Sequence, residues 1–178
     1  MTATELPRGH VFLVGFMGAG KSTVGNILAA LLGRPFVDLD RLIEERSGQS
    51  VSEIFAAGGE DAFRRAETQT LDNLRQHEPA VVACGGGVVL RPENRRILSE
   101  LGTVAYLEVT AGEALARIGD VSGRPLLAEG GPAAAAMLLN AREGLYRAAA
   151  DICVDTSGRE PEAIARETVS LLGARAEA

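Results

Sequence analysis

Residues 15–22 read Gly-Phe-Met-Gly-Ala-Gly-Lys-Ser: a glycine, four residues, then Gly-Lys-Ser. Before them lies a short apolar run, His10-Val11-Phe12-Leu13-Val14, of the kind that makes a strand buried on both faces. After them, Lys21–Leu32 carries Val24, Ile27, Leu28, Leu31 and Leu32 at helical spacing, with Gly33 placed to end the helix. Few folds accept a strand, a glycine loop and a helix in that order. Glycines let backbone N–H groups turn inward around phosphate oxygens, and the helix offers its free N–H groups and positive end to the same anion. Lys21 adds a compact charge on a flexible stem, and Ser22 adds a hydroxyl suited to Mg²⁺. The run matches the Walker A pattern in the context that gives it meaning. Lys21 is also the one lysine of the chain, against 17 arginines.

The remaining sequence alternates in the same way. Strands are predicted at Pro35–Asp40, Val81–Cys84, Thr103–Val109 and Asp151–Asp155. Helices are predicted at 41–46, 51–57, 59–76, 92–101, 111–118, 133–149 and 162–172. Strands separated by helices of this length imply a parallel sheet covered on both faces. The expected fold is α/β, one domain over residues 1–178, with a central five-stranded parallel sheet. Residues 119–132 are rich in Gly and Pro and read as a mobile lid.

Composition narrows the function class. With 18 Lys and Arg against 24 Asp and Glu, the formal net charge is −6, which argues against a nucleic-acid or anionic-membrane partner. No apolar stretch is long enough to span a bilayer, and the polar first seven residues lack the pattern of a secretory signal. Cys84 and Cys153 lie in apolar runs and read as buried thiols of a reducing compartment, so the expected location is cytoplasmic. His10 and His77 lack any partner pattern and read as surface residues.

A carboxylate is needed to help hold Mg²⁺, and the third strand does not end in one. Asp38 and Asp40 of Phe36-Val37-Asp38-Leu39-Asp40 are the nearest candidates, two residues apart and so on one face of a strand. Asp40 is equally placed to cap the helix that follows. The Asn-Lys-x-Asp guanine reader of GTP-binding switches is absent.

With these residues in place, the sequence resembles the shikimate kinases from about His10 to Leu172. The matching pieces are Gly15–Ser22, Phe36-x-Asp38-x-Asp40, Gly59-Glu60-x-x-Phe63-Arg64, Gly85-Gly86-Gly87, Arg124-Pro125-Leu126-Leu127 and Arg142-x-x-x-Tyr146. The resemblance implies a P-loop kinase fold and transfer of the ATP γ-phosphoryl to the 3-hydroxyl of shikimate. It implies ATP binding by Gly18, Ala19, Gly20, Lys21, Ser22 and Thr23, with Arg117 and Arg159 beside the adenine. Ser22 and Asp38 would organise Mg²⁺, and Arg124 would reach the phosphates from the lid. Asp40 would contact the substrate hydroxyls, while Arg64, Gly86 and Arg142 would hold its carboxylate and ring. Lys21, Asp40 and Arg124 are the expected catalytic residues, and a monomer is the expected state. Plainer roles stand beside these. Arg64 follows Glu60 at i+4 as in an ordinary helix ion pair, Arg142 fits a solvated charge, and Gly85–Gly87 and Arg159 fit turns. The rival activities are phosphorylation of another metabolite or nucleotide, and a regulatory NTPase with water as acceptor.

Overall fold

The computed structural model describes residues 8–118 and 131–176. Its strands are β1 (His10–Val14), β2 (Phe36–Asp38), β3 (Val81–Ala83), β4 (Gly102–Glu108) and β5 (Ile152–Asp155). All pair in parallel, in the order β2-β3-β1-β4-β5. Every residue of β1 and β3 is buried, as the apolar runs require of strands covered on both faces. Asp38 and Leu13 both pair with Ala83, so the chain leaves β1, β2 and β3 at one edge of the sheet. Ligands of open α/β sheets bind at that carboxyl edge.

Helix α1 (Lys21–Leu32) buries Val24, Gly25, Leu28, Ala29 and Leu32 and ends at Gly33 in the left-handed conformation. At Gly25 a Cβ would lie 2.5 Å from the ring of Phe36, so the missing side chain lets α1 pack closely on β2. Helix α2 (Leu39–Ser47) is followed by α3 (Val51–Asn73), which opens on a capping box between Ser50 and Glu53. Helix α3 is broken at Gly59, whose φ of 67° and ψ of −170° are not helical. The expected division into two helices is therefore present as a kink. Two 3₁₀ turns, Leu74–Gln76 and Val88–Leu90, precede α4 (Pro92–Leu101). The described chain finishes with α5 (Ala111–Ile118), α6 (Gly131–Ala149) and α7 (Pro161–Ala176), the last packed against α1.

Four expectations need correction. Strand β2 stops at Asp38 because that side chain accepts from the N–H groups of Asp40 (3.1 Å) and Arg41 (3.3 Å) and so caps α2. Asp40 therefore stands in the first turn of a helix and not beside Asp38 on a strand. His10 is 4% exposed. Its Nδ1 accepts from the Ala80 N–H at 3.1 Å and its Nε2 pairs with Leu74 O at 3.0 Å, which places it inside the central strand. Cys153 is exposed, because β5 is an edge strand on which alternate side chains face outward. Gly131 and Pro132, expected in the loop, begin α6.

Candidate active site

The phosphate loop joins β1 to α1. Gly18 and Gly20 take φ values of 78° and 88°, which L side chains rarely adopt, and a Cβ on Gly18 would also meet Ala114 O at 2.5 Å. No side chain caps the N-terminus of α1, so its first N–H groups face the loop. Lys21 Nζ donates to the carbonyls of Gly15 and Phe16, at 2.9 Å each. Ser22 Oγ donates to Asp38 Oδ2 at 3.1 Å. The Asp38 carboxylate thus serves the helix cap with one oxygen and the loop with the other.

A cavity of about 270 Å³ opens beside this loop, with Lys21, Ser22, Asp38, Asp40, Gly85 and Gly86 in its wall. Asp40 Oδ1 is buried without a hydrogen-bond partner among the described residues. Burial pushes the Asp40 carboxyl above its usual range and Asp38 adds to this, while Lys21 and Arg64 pull it back. Cys84, in the same wall, is held as an inert thiol because burial raises its pKa.

Arg64 is 8% exposed. The i+4 ion pair with Glu60 exists, at 3.2 Å, but Arg64 Nη1 also donates to both oxygens of Glu67, at 3.0 and 2.9 Å. A Cβ on Gly87 would lie 2.1 Å from Arg64 Nη2, so the glycine triplet is more than a turn: the guanidinium occupies the space a side chain would take. Arg142 is 6% exposed and so is not a solvated charge; its Nη1 reaches Gly86 O at 3.5 Å. The Tyr146 hydroxyl donates to the same carbonyl, its pKa pushed up to about 12 mainly by burial.

The third group lies on the far side of the loop. Arg117 donates to Gly18 O (3.4 Å), to Thr156 Oγ1 (3.1 Å) and to Thr156 O (2.6 Å). A cavity of about 380 Å³ there is lined by Gly18, Thr23, Arg117, Arg159, Pro161 and Ile164. Ala19 is fully buried in the loop beneath it, and Arg159 is tied to Asp155 O and to Glu167. The two cavities share Gly18, Gly20 and Thr23, so the phosphate loop separates them. Arg124 lies outside the described residues.

A family model described as shikimate kinase matches residues 17–173. The chain belongs to the shikimate kinase family. It is 45% identical over 166 residues to the shikimate kinase of Moorella thermoacetica, covering 93% of this chain and 95% of that one. The shikimate kinase of Chromobacterium violaceum is 46% identical over 158 residues, covering 88% and 86%. Among solved structures, the shikimate kinase of Acinetobacter baumannii in complex with shikimate superposes with a TM-score of 0.89 at 37% identity, covering 94% of each chain. A gluconokinase from Sinorhizobium meliloti, at 19% identity and a TM-score of 0.60, shares the fold alone. Within this shikimate kinase family member, sequence reasoning overlooked Glu67, Asn94 and Thr156, all fully buried. Glu67 at i+3 from Arg64 was visible as a signal; Asn94 and Thr156 had none.

Proposed function

We propose that this chain transfers the γ-phosphoryl group of ATP to the 3-hydroxyl of shikimate, giving ADP and shikimate 3-phosphate. One observation carries the reading. Beside the phosphate loop, a buried Asp40 oxygen without a hydrogen-bond partner among the described residues shares a cavity wall with Gly86, whose carbonyl Arg142 and Tyr146 approach. A small acid with ring hydroxyls meets both demands, since a guanidinium pairs with its carboxylate and Asp40 takes a hydroxyl proton.

Each residue then has a task. The phosphates lie on Gly18, Ala19, Gly20, Lys21, Ser22 and Thr23, with the adenine between Arg117 and Arg159. Lys21 leaves the loop carbonyls to follow the γ-phosphoryl group, where its charge stabilises the transition state. Asp40 orients the attacking hydroxyl and accepts its proton, and its raised pKa makes it a better base than an exposed carboxylate. Arg64, Arg142 and the backbone at Gly86 hold the acceptor carboxylate and ring. Arg124 is assigned to the phosphates by its motif, with residues 119–130 as the lid. Ser22 and Asp38 put two hard oxygens 3.1 Å apart at the loop, a donor set that suits Mg²⁺ completed by substrate phosphates and water. Mg²⁺ held by Ser22 and Asp38 would supply neutralisation of phosphate charge. The chain works as a cytoplasmic monomer in one domain, without nucleic acid or membrane, in keeping with its charge of −6.

The test is a coupled ADP-release assay with shikimate, gluconate, nucleoside monophosphates or water as acceptor. Turnover with shikimate far above all others is expected. ADP release indifferent to shikimate makes the chain a regulatory NTPase, and preference for another acceptor makes it a different metabolite kinase.

A further inference from the structure

Three polar side chains stand in a row behind the acceptor pocket, and the proposed chemistry uses only the first. That one is Arg64. Behind it, Glu67 is 0% exposed and takes Arg64 Nη1 on both oxygens. Behind Glu67 lies Asn94, also 0% exposed, in the first turn of α4. Asn94 Nδ2 donates to Val88 O at 3.0 Å and to Glu67 Oε2 at 3.4 Å.

An amide is a poor choice for simply filling this space. Leu has the same branched heavy-atom skeleton and carries no polar group to desolvate. Asn94 Oδ1 is moreover buried with no hydrogen-bond partner among the described residues. The Val88 carbonyl decides which way the amide faces, since a flip would set oxygen against oxygen. The NH₂ group is thereby turned to Glu67, and the partnerless oxygen is the consequence. Asn94 ties together α3 through Glu67, the 3₁₀ turn leaving the glycine triplet through Val88, and α4 itself. Both ends of that tie lie next to the acceptor pocket. At one is the Arg64 guanidinium, whose charge acts on Asp40 in the pocket wall; at the other is the Gly85–Gly87 turn, which lines the pocket and against which the guanidinium is pressed.

We infer that Asn94 is a positioning residue for the acceptor carboxylate. It holds Glu67, and through Glu67 it fixes the plane of the Arg64 guanidinium relative to the glycine turn. The inference rests on the reading that Arg64 grips the acceptor. A planar fork pairs bidentately only when it faces its carboxylate, so a loosened fork weakens shikimate and leaves ATP untouched.

The experiment measures steady-state kinetics of the full-length chain with ATP and shikimate varied separately, in Asn94→Leu, Arg64→Lys and the double variant. Asn94→Leu should raise the shikimate KM ~10-fold while the ATP KM stays within about twofold. In the Arg64→Lys background, where the planar fork is gone, adding Asn94→Leu should change the shikimate KM by less than about twofold. An unchanged shikimate KM in Asn94→Leu, equal rises in both KM values, or a full effect persisting in Arg64→Lys overturns the inference. If Arg64→Lys itself leaves the shikimate KM unmoved, the reading of Arg64 fails first and the inference falls with it. Should Asn94→Leu not fold, Asn94→Asp keeps the volume and turns an acceptor toward Glu67. A rise confined to the shikimate KM then supports the inference, and any other pattern overturns it.

Discussion

The two ends of the site are built by different means. At the proposed nucleotide end, one consecutive run from Gly15 to Ser22 supplies the groups: backbone N–H groups, a helix terminus and a single ammonium. At the proposed acceptor end, the residues come from α2, α3, the turn after β3, and α6, and they are side chains drawn from the interior: Arg64, Glu67, Arg142 and Tyr146 are buried and Asp40 is half-buried. Backbone can cradle phosphate almost without cost, because its N–H groups are orphaned at a helix start in any case. Buried charges are expensive unless paired, so the acceptor end is stable only as an assembled set. The gluconokinase of Sinorhizobium meliloti shares the fold at 19% identity, and a shared fold leaves the acceptor open. On the proposed function, acceptor specificity would rest on the costly end.

The largest way to break this contrast is Asp40→Asn. Turnover should fall ~10²–10⁴-fold, with shikimate affinity changed far less, because the amide keeps shape but cannot take the proton. Single-turnover phosphoryl transfer measures it, and a variant with more than a tenth of normal turnover contradicts the base role. The raised pKa adds a pH signature. Protonated Asp40 cannot accept a proton, so wild-type kcat/KM should decline on the acid side at a pH above the usual carboxylate range. Stability runs the other way. A carboxyl with a raised folded-state pKa contributes stability below its unfolded value and loses it as pH rises through the folded one. Asp40→Asn should thus have a higher melting temperature than wild type at pH 7, with the gap closing as pH falls through that window.

Lys21→Ala comes next. At least ~10²-fold should be lost in kcat, with the fold intact, since Lys21 stands at the start of α1 and donates to loop carbonyls. Shikimate binding measured alone should be unchanged, which keeps the two ends separate. Gly87→Ala sharpens the acceptor half. Its Cβ would sit 2.1 Å from Arg64 Nη2, and that guanidinium is held by Glu67 and Glu60, so the fork must turn or lose a partner. A rise of ~10-fold in the shikimate KM is expected, with the ATP KM steady; equal changes in both would join what is here kept apart.

The same division explains what could be read from sequence. β1, the loop and α1 were legible because their signals are consecutive, and the break at Gly59 was legible because glycine punctuates a helical pattern. Asp38 was found, but its double use as cap and as Ser22 partner moved Asp40 from strand to helix, which spacing alone does not reveal. Arg64 and Arg142 came from family resemblance, and their burial is a tertiary fact. His10 was misread because a histidine at the start of an apolar run looks like a boundary, whereas here the central strand carries it inside. Glu67 and Asn94 meet only when α3 and α4 pack, so no local pattern joins them.

The separation of the two ends is tested most directly at Arg142, which meets the Gly86 carbonyl and the Tyr146 hydroxyl, so its removal strands no paired carboxylate among the described residues. Shikimate and a non-hydrolysable ATP analogue are each titrated calorimetrically into wild type and Arg142→Ala. Shikimate binding should weaken by ~2–5 kcal/mol while nucleotide binding is unchanged. Equal losses for both ligands, or none for shikimate, would contradict an acceptor site built apart from the phosphate loop.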